Sequence, residues 1–274
     1  MTGKARGRKS IFITGGASGI GRATAKLFHG KGWFVGAFDL NETALASLAQ
    51  ELGNDNCITR KLDVTDKQDY ENAIAAFAAE TDGRMDILYN NAGIGESGWF
   101  EDIPYEATMR LVQVNFIGVL NGIYSALPLL KATPNSLCFS TSSSSATHGM
   151  PRIAVYSATK FAVKGLTEAL GIEFARHGIR VADTLPGLID TPILRNTPNR
   201  TDGTKPTEDQ LKSQTRGTFR LMPPEAVAEA VWGAYGTDKT HWYVPPELVW
   251  IDRMKVFLPR YIRGKIGKSL PGSE

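Results

Sequence analysis

The chain has 274 residues, of which 42% are hydrophobic and 22% charged, the composition of an ordinary soluble globular protein and a length that one α/β domain can fill. Net charge is only +3, and part of the excess sits at the ends, with Lys4, Arg6, Arg8 and Lys9 ahead of the first strand, so nucleic acid is not expected as a partner. Two cysteines, Cys57 and Cys138, with no Cys-x-x-Cys and no cluster with the four histidines, argue against a disulfide framework and against a bound metal.

Residues 1–9 read as a basic N-terminal segment. No apolar run of signal-peptide length precedes Ile11, so a cytoplasmic protein is expected. Ser10 to Thr14 is a short apolar strand. It runs into Thr14-Gly15-Gly16-Ala17-Ser18-Gly19-Ile20-Gly21, which opens a helix over Arg22 to His29. Glycines at 15, 19 and 21 permit a tight turn, close approach of the backbone to a pyrophosphate, and close packing of helix on sheet. A second strand, Trp33 to Phe38, ends at Asp39, 18 residues after Gly21. That is where a carboxylate meets the ribose hydroxyls of NAD and repels a ribose phosphate, so NAD(H) is expected and NADP(H) is disfavoured. Arg22, the one nearby cation, reads mainly as a helix residue.

Asn41 caps a helix to Leu52, Cys57 to Leu62 forms a third strand, Asp66 to Glu80 is an alanine-rich helix, and Ile87 to Tyr89 lies in a fourth strand ending at Asn90-Asn91. Residues 111 to 130 carry no charge and are long enough to span a bilayer. Gln113, Asn115 and Asn121 interrupt the run, which favours a helix buried in a soluble protein or at a subunit contact. A strand around Leu137 to Ser140 follows, then a helix over 154–176 marked by Ala158, Phe161, Ala162, Leu166, Ala169, Leu170 and Phe174, then a strand Ile179 to Leu185. This alternation implies a doubly wound parallel sheet with helices on both faces, and ligands at the carboxyl ends of its strands.

On the helix over 154–176, Tyr156 and Lys160 share one face, and Ser143 lies 13 residues before the tyrosine. An ammonium beside a phenol stabilises the phenolate and draws its pKa toward neutrality, as a general acid/base requires. Past Asp190 the alternation stops. Pro192, Pro198 and Pro206 break a polar stretch, and 192–222 reads as a lid over the substrate. Pro223-Pro224-Glu225 starts a helix, and Trp242 to Val244 is a last strand. Residues 10–250 thus form the domain, and 251–274 a basic tail in which Met254, Phe257, Leu258, Tyr261, Ile262 and Ile266 alternate with Arg253, Lys255, Arg260, Arg263, Lys265 and Lys268. Packing of this tail on the body or a neighbouring subunit is expected ahead of membrane-surface contact.

Jointly these motifs resemble the short-chain dehydrogenase/reductase family over roughly residues 8 to 250. The resemblance rests on Thr14 to Gly21, Asp63-Val64, Asn90-Asn91-Ala92-Gly93, Asn115, Ser143, Tyr156, Lys160, and Pro186-Gly187 with Thr191. It implies a Rossmann-like single domain, a homodimer or homotetramer, and a set of roles. Tyr156 moves the proton, Lys160 lowers its pKa and holds the nicotinamide ribose, Ser143 bonds the substrate oxygen, and Asn115 supports a proton-relaying water. Gly15, Ser18, Gly19, Ile20, Gly21, Asp39, Asp63, Val64, Asn91, Ala92, Gly93, the Ile189 backbone and Thr191 would hold the cofactor. Ser142 is the alternative to Ser143, Asp63 can instead cap a turn, and Asn91 can instead tie strands together. The reaction implied is hydride transfer between the cofactor and a secondary alcohol or ketone. The pocket expected, with Ile94, Gly95, Glu96, Ser145, His148, Met150, Val155, Leu188 and Leu194, is largely apolar and suits a bulky hydrophobic small molecule of aryl, steroid-like or lipid type. A non-catalytic nucleotide sensor of the same fold is the alternative class, and it has no use for the complete Ser143, Tyr156 and Lys160.

Overall fold

The computed structural model describes residues 4, 5, 7–205, 207, 209 and 217–267. Seven strands form one parallel sheet in the order β3-β2-β1-β4-β5-β6-β7. They are β1 Ser10–Thr14, β2 Phe34–Asp39, β3 Cys57–Lys61, β4 Ile87–Asn90, β5 Leu137–Thr141, β6 Arg180–Pro186 and β7 His241–Val244. Helices α1 Gly19–Gly30, α2 Glu42–Leu52 and α3 Lys67–Thr81 connect the first four strands. Asn41 caps α2 by accepting the Ala44 N–H at 3.0 Å, and Asp66 caps α3 through the N–H groups of Gln68 and Asp69.

Each strand sends alternate side chains to opposite faces, and both faces are apolar because helices cover both. Phe12 of β1 packs with Phe38, Tyr70, Phe77 and Leu88 on the face carrying α3, while Ile11 and Ile13 join Phe28, Trp33 and Leu48 beneath α1 and α2. The Phe12 and Phe38 rings stack at 3.9 Å and Phe77 meets Phe12 edge-on, contacts that add about 0.5–1.5 kcal/mol each beyond burial. The basic N-terminal segment belongs to the body. Ala5 is buried, Arg8 lies over the Phe34 ring, and Lys9 lies over Trp33 and Tyr235.

The uncharged run is part of a longer helix than its lack of charge implied. It begins with α4 Tyr105–Val112, passes through a π turn at Gln113–Ile117, and continues as α5 Gly118–Ala132. By length and composition the whole stretch could cross a membrane. Its Leu111, Val119, Ile123, Ala126 and Leu130 are buried in the core, and Asn121 donates to the Val64 carbonyl at 2.9 Å. Helix α6 Ala154–Phe174 carries Tyr156 and Lys160 and ends two residues earlier than 176 as an α-helix, closing in a 3-10 turn.

After β6 come a short helix α7 Pro192–Asn196 and then α8 Pro224–Ala234, both with proline in the first turn, where no N–H is needed. The polar centre of the 192–222 segment and Lys268 lie outside the described residues. The tail forms two helices, α9 Leu248–Phe257 and α10 Pro259–Gly267, so the domain boundary expected at 250 falls inside α9. Pro259 separates them, as its ring requires. Leu248 and Ile262 turn inward, in line with packing on the body, but Val256, Phe257, Leu258 and Tyr261 face solvent.

Candidate active site

Strand order reverses between β1 and β4, whose neighbours lie on opposite sides, and the crevice beyond their carboxyl ends is the natural ligand site of such a sheet. The chain closes that crevice tightly. Thr14 Oγ1 accepts the N–H groups of both Asn91 and Ala92 at 3.1 Å, and Asn91 Nδ2 donates to the carbonyls of Thr14 and Gly15. Asn91 also accepts from Thr141 Oγ1, so its amide ties the ends of three adjacent strands. The glycine turn crosses directly above. Gly15 has φ +63°, and a Cβ on Gly21 would overlap the Gly15 carbonyl oxygen. Ser18 precedes α1 without a side-chain cap bond, which leaves the first N–H groups of the helix facing the crevice.

A cavity of about 1040 Å³ runs from Asp39, Leu62, Asp63 and Val64 past Gly15 to Ile20 and Asn91 to Gly93, and reaches Ser143, Tyr156, Lys160 and the Ile189 to Leu194 segment. Ligand pockets typically measure about 300–1,000 Å³, so this volume suits two ligands end to end. The donor set fits a dinucleotide. Backbone N–H groups at a helix start suit a pyrophosphate, and the Asp39 carboxylate stands at the far end, accepting from Ala17 N–H at 3.1 Å and Asn41 N–H at 3.0 Å. Arg22 is committed to Glu51 at 2.7 Å, in keeping with its reading as a helix residue. Asp63 caps its turn through Thr65 while also lining the cavity. Among the described residues no group of three His, Cys, Asp or Glu side chains is placed to hold a metal ion.

At the other end, the two serines have different partners. Ser142 donates to the Lys160 carbonyl at 2.9 Å and is buried against α6. Ser143 accepts the Ser145 N–H at 3.1 Å, and its side chain bonds the Tyr156 phenol. With its oxygen already accepting, the Ser143 O–H is left to donate. Lys160 Nζ sits over the Tyr156 ring, 5.7 Å from its centroid, and donates to the Thr141 carbonyl at 2.8 Å. Burial pushes the phenol up, opposed by the Ser143 hydrogen bond, and burial pulls the ammonium down to about 8. Lys160 rests on Thr141 and stands close enough to the Tyr156 ring for its charge to act on the phenol.

Asn115 occupies the π turn and is fully buried. Its amide exchanges two hydrogen bonds with the Ile94 backbone, at 2.9 and 3.0 Å, and so fixes the loop after Gly93, a structural task compatible with the role expected of it. Ile189 bridges to Met222, and Thr191 bonds the Ile189 carbonyl and lies against Gly19, so the segment expected to face the nicotinamide is docked on the glycine turn.

Of the expected pocket residues, Ile94, Gly95, Glu96, Ser145, Met150, Leu188 and Leu194 line the cavity, whereas His148 and Val155 are not among its lining. His148 is half-buried rather than exposed, and burial holds it below the usual imidazole range. Glu96 lines the cavity with its charge already paired. Its buried carboxylate is clamped by Arg200 through two bonds of 2.8 and 3.0 Å, the partner that a desolvated charge demands. Around that pair the loop 95–99 and the 198–201 stretch are zipped together. Ser97 N–H bonds Pro198 O, Arg200 N–H bonds Ser97 O, Trp99 N–H bonds Thr201 Oγ1, and Arg152 bonds Asn199 and reaches Asp202. Arg200, Arg152 and Thr141 carried no motif in the sequence. Their partners are distant in the chain, and no local periodicity could have pointed to them.

The chain belongs to the short chain dehydrogenase family, whose sequence profile matches residues 9–202. It is an oxidoreductase of that type and takes a nicotinamide cofactor. It is 39% identical over 210 residues to the 2,5-dichloro-2,5-cyclohexadiene-1,4-diol dehydrogenase LinX of Sphingobium indicum, covering 76% of this chain and 80% of that one. It is also 31% identical to a cyclohexanol dehydrogenase of an Acinetobacter strain, covering 81% and 86%. Among solved structures, the 3-ketoacyl-(acyl-carrier-protein) reductase of Brucella melitensis in complex with NADH superposes with a TM-score of 0.75 at 29% identity, covering 86% of this chain and 96% of that one.

Proposed function

We propose that the chain is an NAD(H)-dependent dehydrogenase and ketoreductase for secondary alcohols carried on a bulky apolar framework, an alicyclic ring above all. The observation that carries this is the meeting of Ser143, Tyr156 and Lys160 at one end of a cavity whose other end presents Asp39. The bound nicotinamide supplies the hydride acceptor or donor. The Ser143 hydroxyl donates to the substrate oxygen, which holds the alcohol carbon toward the cofactor. The Tyr156 phenol takes the hydroxyl proton in oxidation and returns it in reduction. Lys160, in its charged form, stabilises the phenolate and hydrogen-bonds the ribose. Asn115 keeps the Ile94 backbone in place, and Ile189 and Thr191 orient the carboxamide. The apolar wall of Ile94, Met150, Leu188 and Leu194, together with Ile153, Ile193 and Phe219, suits a substrate without charge. Two of the relatives carry ring alcohols in their names, which favours the alicyclic class. The test is NADH formation with a panel of cyclic, aryl and straight-chain secondary alcohols. Turnover confined to straight-chain or charged substrates would overturn the class.

NAD(H) is preferred over NADP(H) because a 2′-phosphate would face the Asp39 carboxylate and Arg22 is held by Glu51. The expected selectivity in kcat/KM is at least about tenfold, or 1.4 kcal/mol, and Asp39→Ala should narrow it. Equal or better kcat/KM with NADPH would defeat the assignment.

The segment from 192 to 205 acts as a lid latched by Glu96 and Arg200. In Arg200→Gln the buried Glu96 loses its partner, a change of the class that costs about 3–5 kcal/mol when fully buried. Faster amide exchange at Asn199 to Thr201 and a several-fold rise in KM for the bulkiest substrate are expected, with kcat on a small alcohol little changed. Unaltered exchange in the variant would show the segment to be held without the latch.

A further inference from the structure

The surface of the two tail helices has a composition that the catalytic site does not explain. Val256, Phe257 and Leu258 stand side by side at the α9 to α10 junction, with Val256 72% and Phe257 80% exposed, and Tyr261 and Trp250 flank them. A contiguous apolar patch on a water-soluble protein marks a contact site. Its rim is basic. Arg253, Arg260, Arg263 and Lys265 lie within residues 253–267, which contain no acidic residue, while Lys255 in the same stretch is turned to the body, pairing with Asp252 at 3.6 Å and lying over Phe161. The one acid within α9, Asp252, is turned to the body, where it accepts from Tyr243 at 2.6 Å and pairs with Lys164 at 3.4 Å. Arg260 and Arg263 are exposed.

We propose that this helix pair docks on an anionic lipid bilayer, with Val256, Phe257 and Leu258 entering the boundary between headgroups and acyl chains and Arg260, Arg263 and Lys265 meeting lipid phosphates. An anionic bilayer offers both features the face calls for, an apolar layer and a sheet of negative charge above it. Long basic side chains beside the patch can keep their charges at headgroup level while their stems cover apolar surface. Nucleic acid supplies the charge but leaves the three apolar side chains in water. A second copy meeting the same face would set one basic rim against another. The face is also joined to the cavity. Leu248 at the start of α9 packs on Gly187, which lines the cavity, and Arg220, next to the cavity residue Phe219, bonds Glu247. A hydrophobic substrate dissolved in the lipid would thus have a short path to the site. The docking itself does not depend on which substrate is used.

The test is sedimentation of the full chain with vesicles of phosphatidylcholine alone and of phosphatidylcholine with phosphatidylglycerol, using the wild type, Arg260→Gln/Arg263→Gln, and Val256→Ser/Phe257→Ser/Leu258→Ser. Each basic side chain near an anionic surface is worth about a fivefold gain in partitioning, so the double variant should bind the mixed vesicles about twenty-fivefold more weakly. The triple variant should lose at least about tenfold, since binding scales with buried apolar area. Both should keep the wild-type Tm and NADH affinity, which report folding whatever the substrate is. Equal sedimentation of the wild type with neutral and mixed vesicles would overturn the proposal, as would full binding by the triple variant. So would dissociation of an oligomer by the triple variant in light scattering, which would give the face to a second copy instead.

Discussion

Tyr156→Phe should lower kcat by about a hundredfold to ten-thousandfold while leaving NADH affinity nearly unchanged. The ring remains to fill its place beside Lys160, but the hydroxyl proposed to move the proton is gone. Among the described residues, the hydroxyl that acts on it is that of Ser143, whose own proton is far too weakly acidic to replace it. Retention of more than about a tenth of kcat would assign the proton to another group. The pH profile carries a second sign. Oxidation needs the phenolate, which burial disfavours, and it needs a charged Lys160, which is present below about pH 8 and lost above it. The two demands oppose each other, so the alcohol-oxidation optimum should lie near pH 8, with apparent values that belong to the pair. Reduction needs the protonated phenol and should extend to lower pH. Lys160→Met leaves the phenol facing burial without the ammonium, and the rise of the oxidation profile should move to higher pH.

Much of the fold was legible because its pattern is local. Parallel strands covered on both faces are short apolar runs, and Phe34 to Asp39 or Leu137 to Thr141 stand out against polar surroundings. The cap at Asn41 announced its helix. Where the reading relied on charge alone it slipped. The helix holding Asn115 begins at Tyr105, before the charge-free stretch, because Glu106 and Arg110 lie on its solvent side. Pro192 read as a breaker, yet it is the first residue of α7, where proline is tolerated. The residues proposed for cofactor binding and proton transfer came together because their spacing is fixed by strand ends and one helix turn. The latch did not, since Glu96 and Arg200 are brought together only by tertiary folding. Nor could composition show that Asn115 spends its amide on Ile94, or that Lys160 rests on Thr141.

Gly21→Ala should remove most cofactor binding, the second large effect. The added methyl would overlap the carbonyl oxygen of Gly15 and come within 2.8 Å of Asn91 Nδ2, and both are fixed groups. Gly15 is held in a left-handed conformation with φ +63°, with Ala92 backbone 3.0 Å from where its own Cβ would be, so it has little room to retreat. The Asn91 amide cannot swing aside without releasing the bonds it makes to Thr14, Gly15 and Thr141 across three strand ends. Overpacking at such a site costs about 1–3 kcal/mol even where the core can adjust. Here the adjustment moves the turn that must approach the pyrophosphate. NADH affinity should fall by at least about tenfold, equivalent to 1.4 kcal/mol, with a lower Tm. The same methyl at Gly165, where nothing lies within 4 Å of the added carbon, should leave affinity unchanged and raise stability slightly by helix propensity. Titration of NADH fluorescence with both variants separates the two. Equal affinities would mean that the turn relaxes freely around the extra carbon, and the close approach of backbone to pyrophosphate would then have to be carried by Gly15 and Gly19 alone.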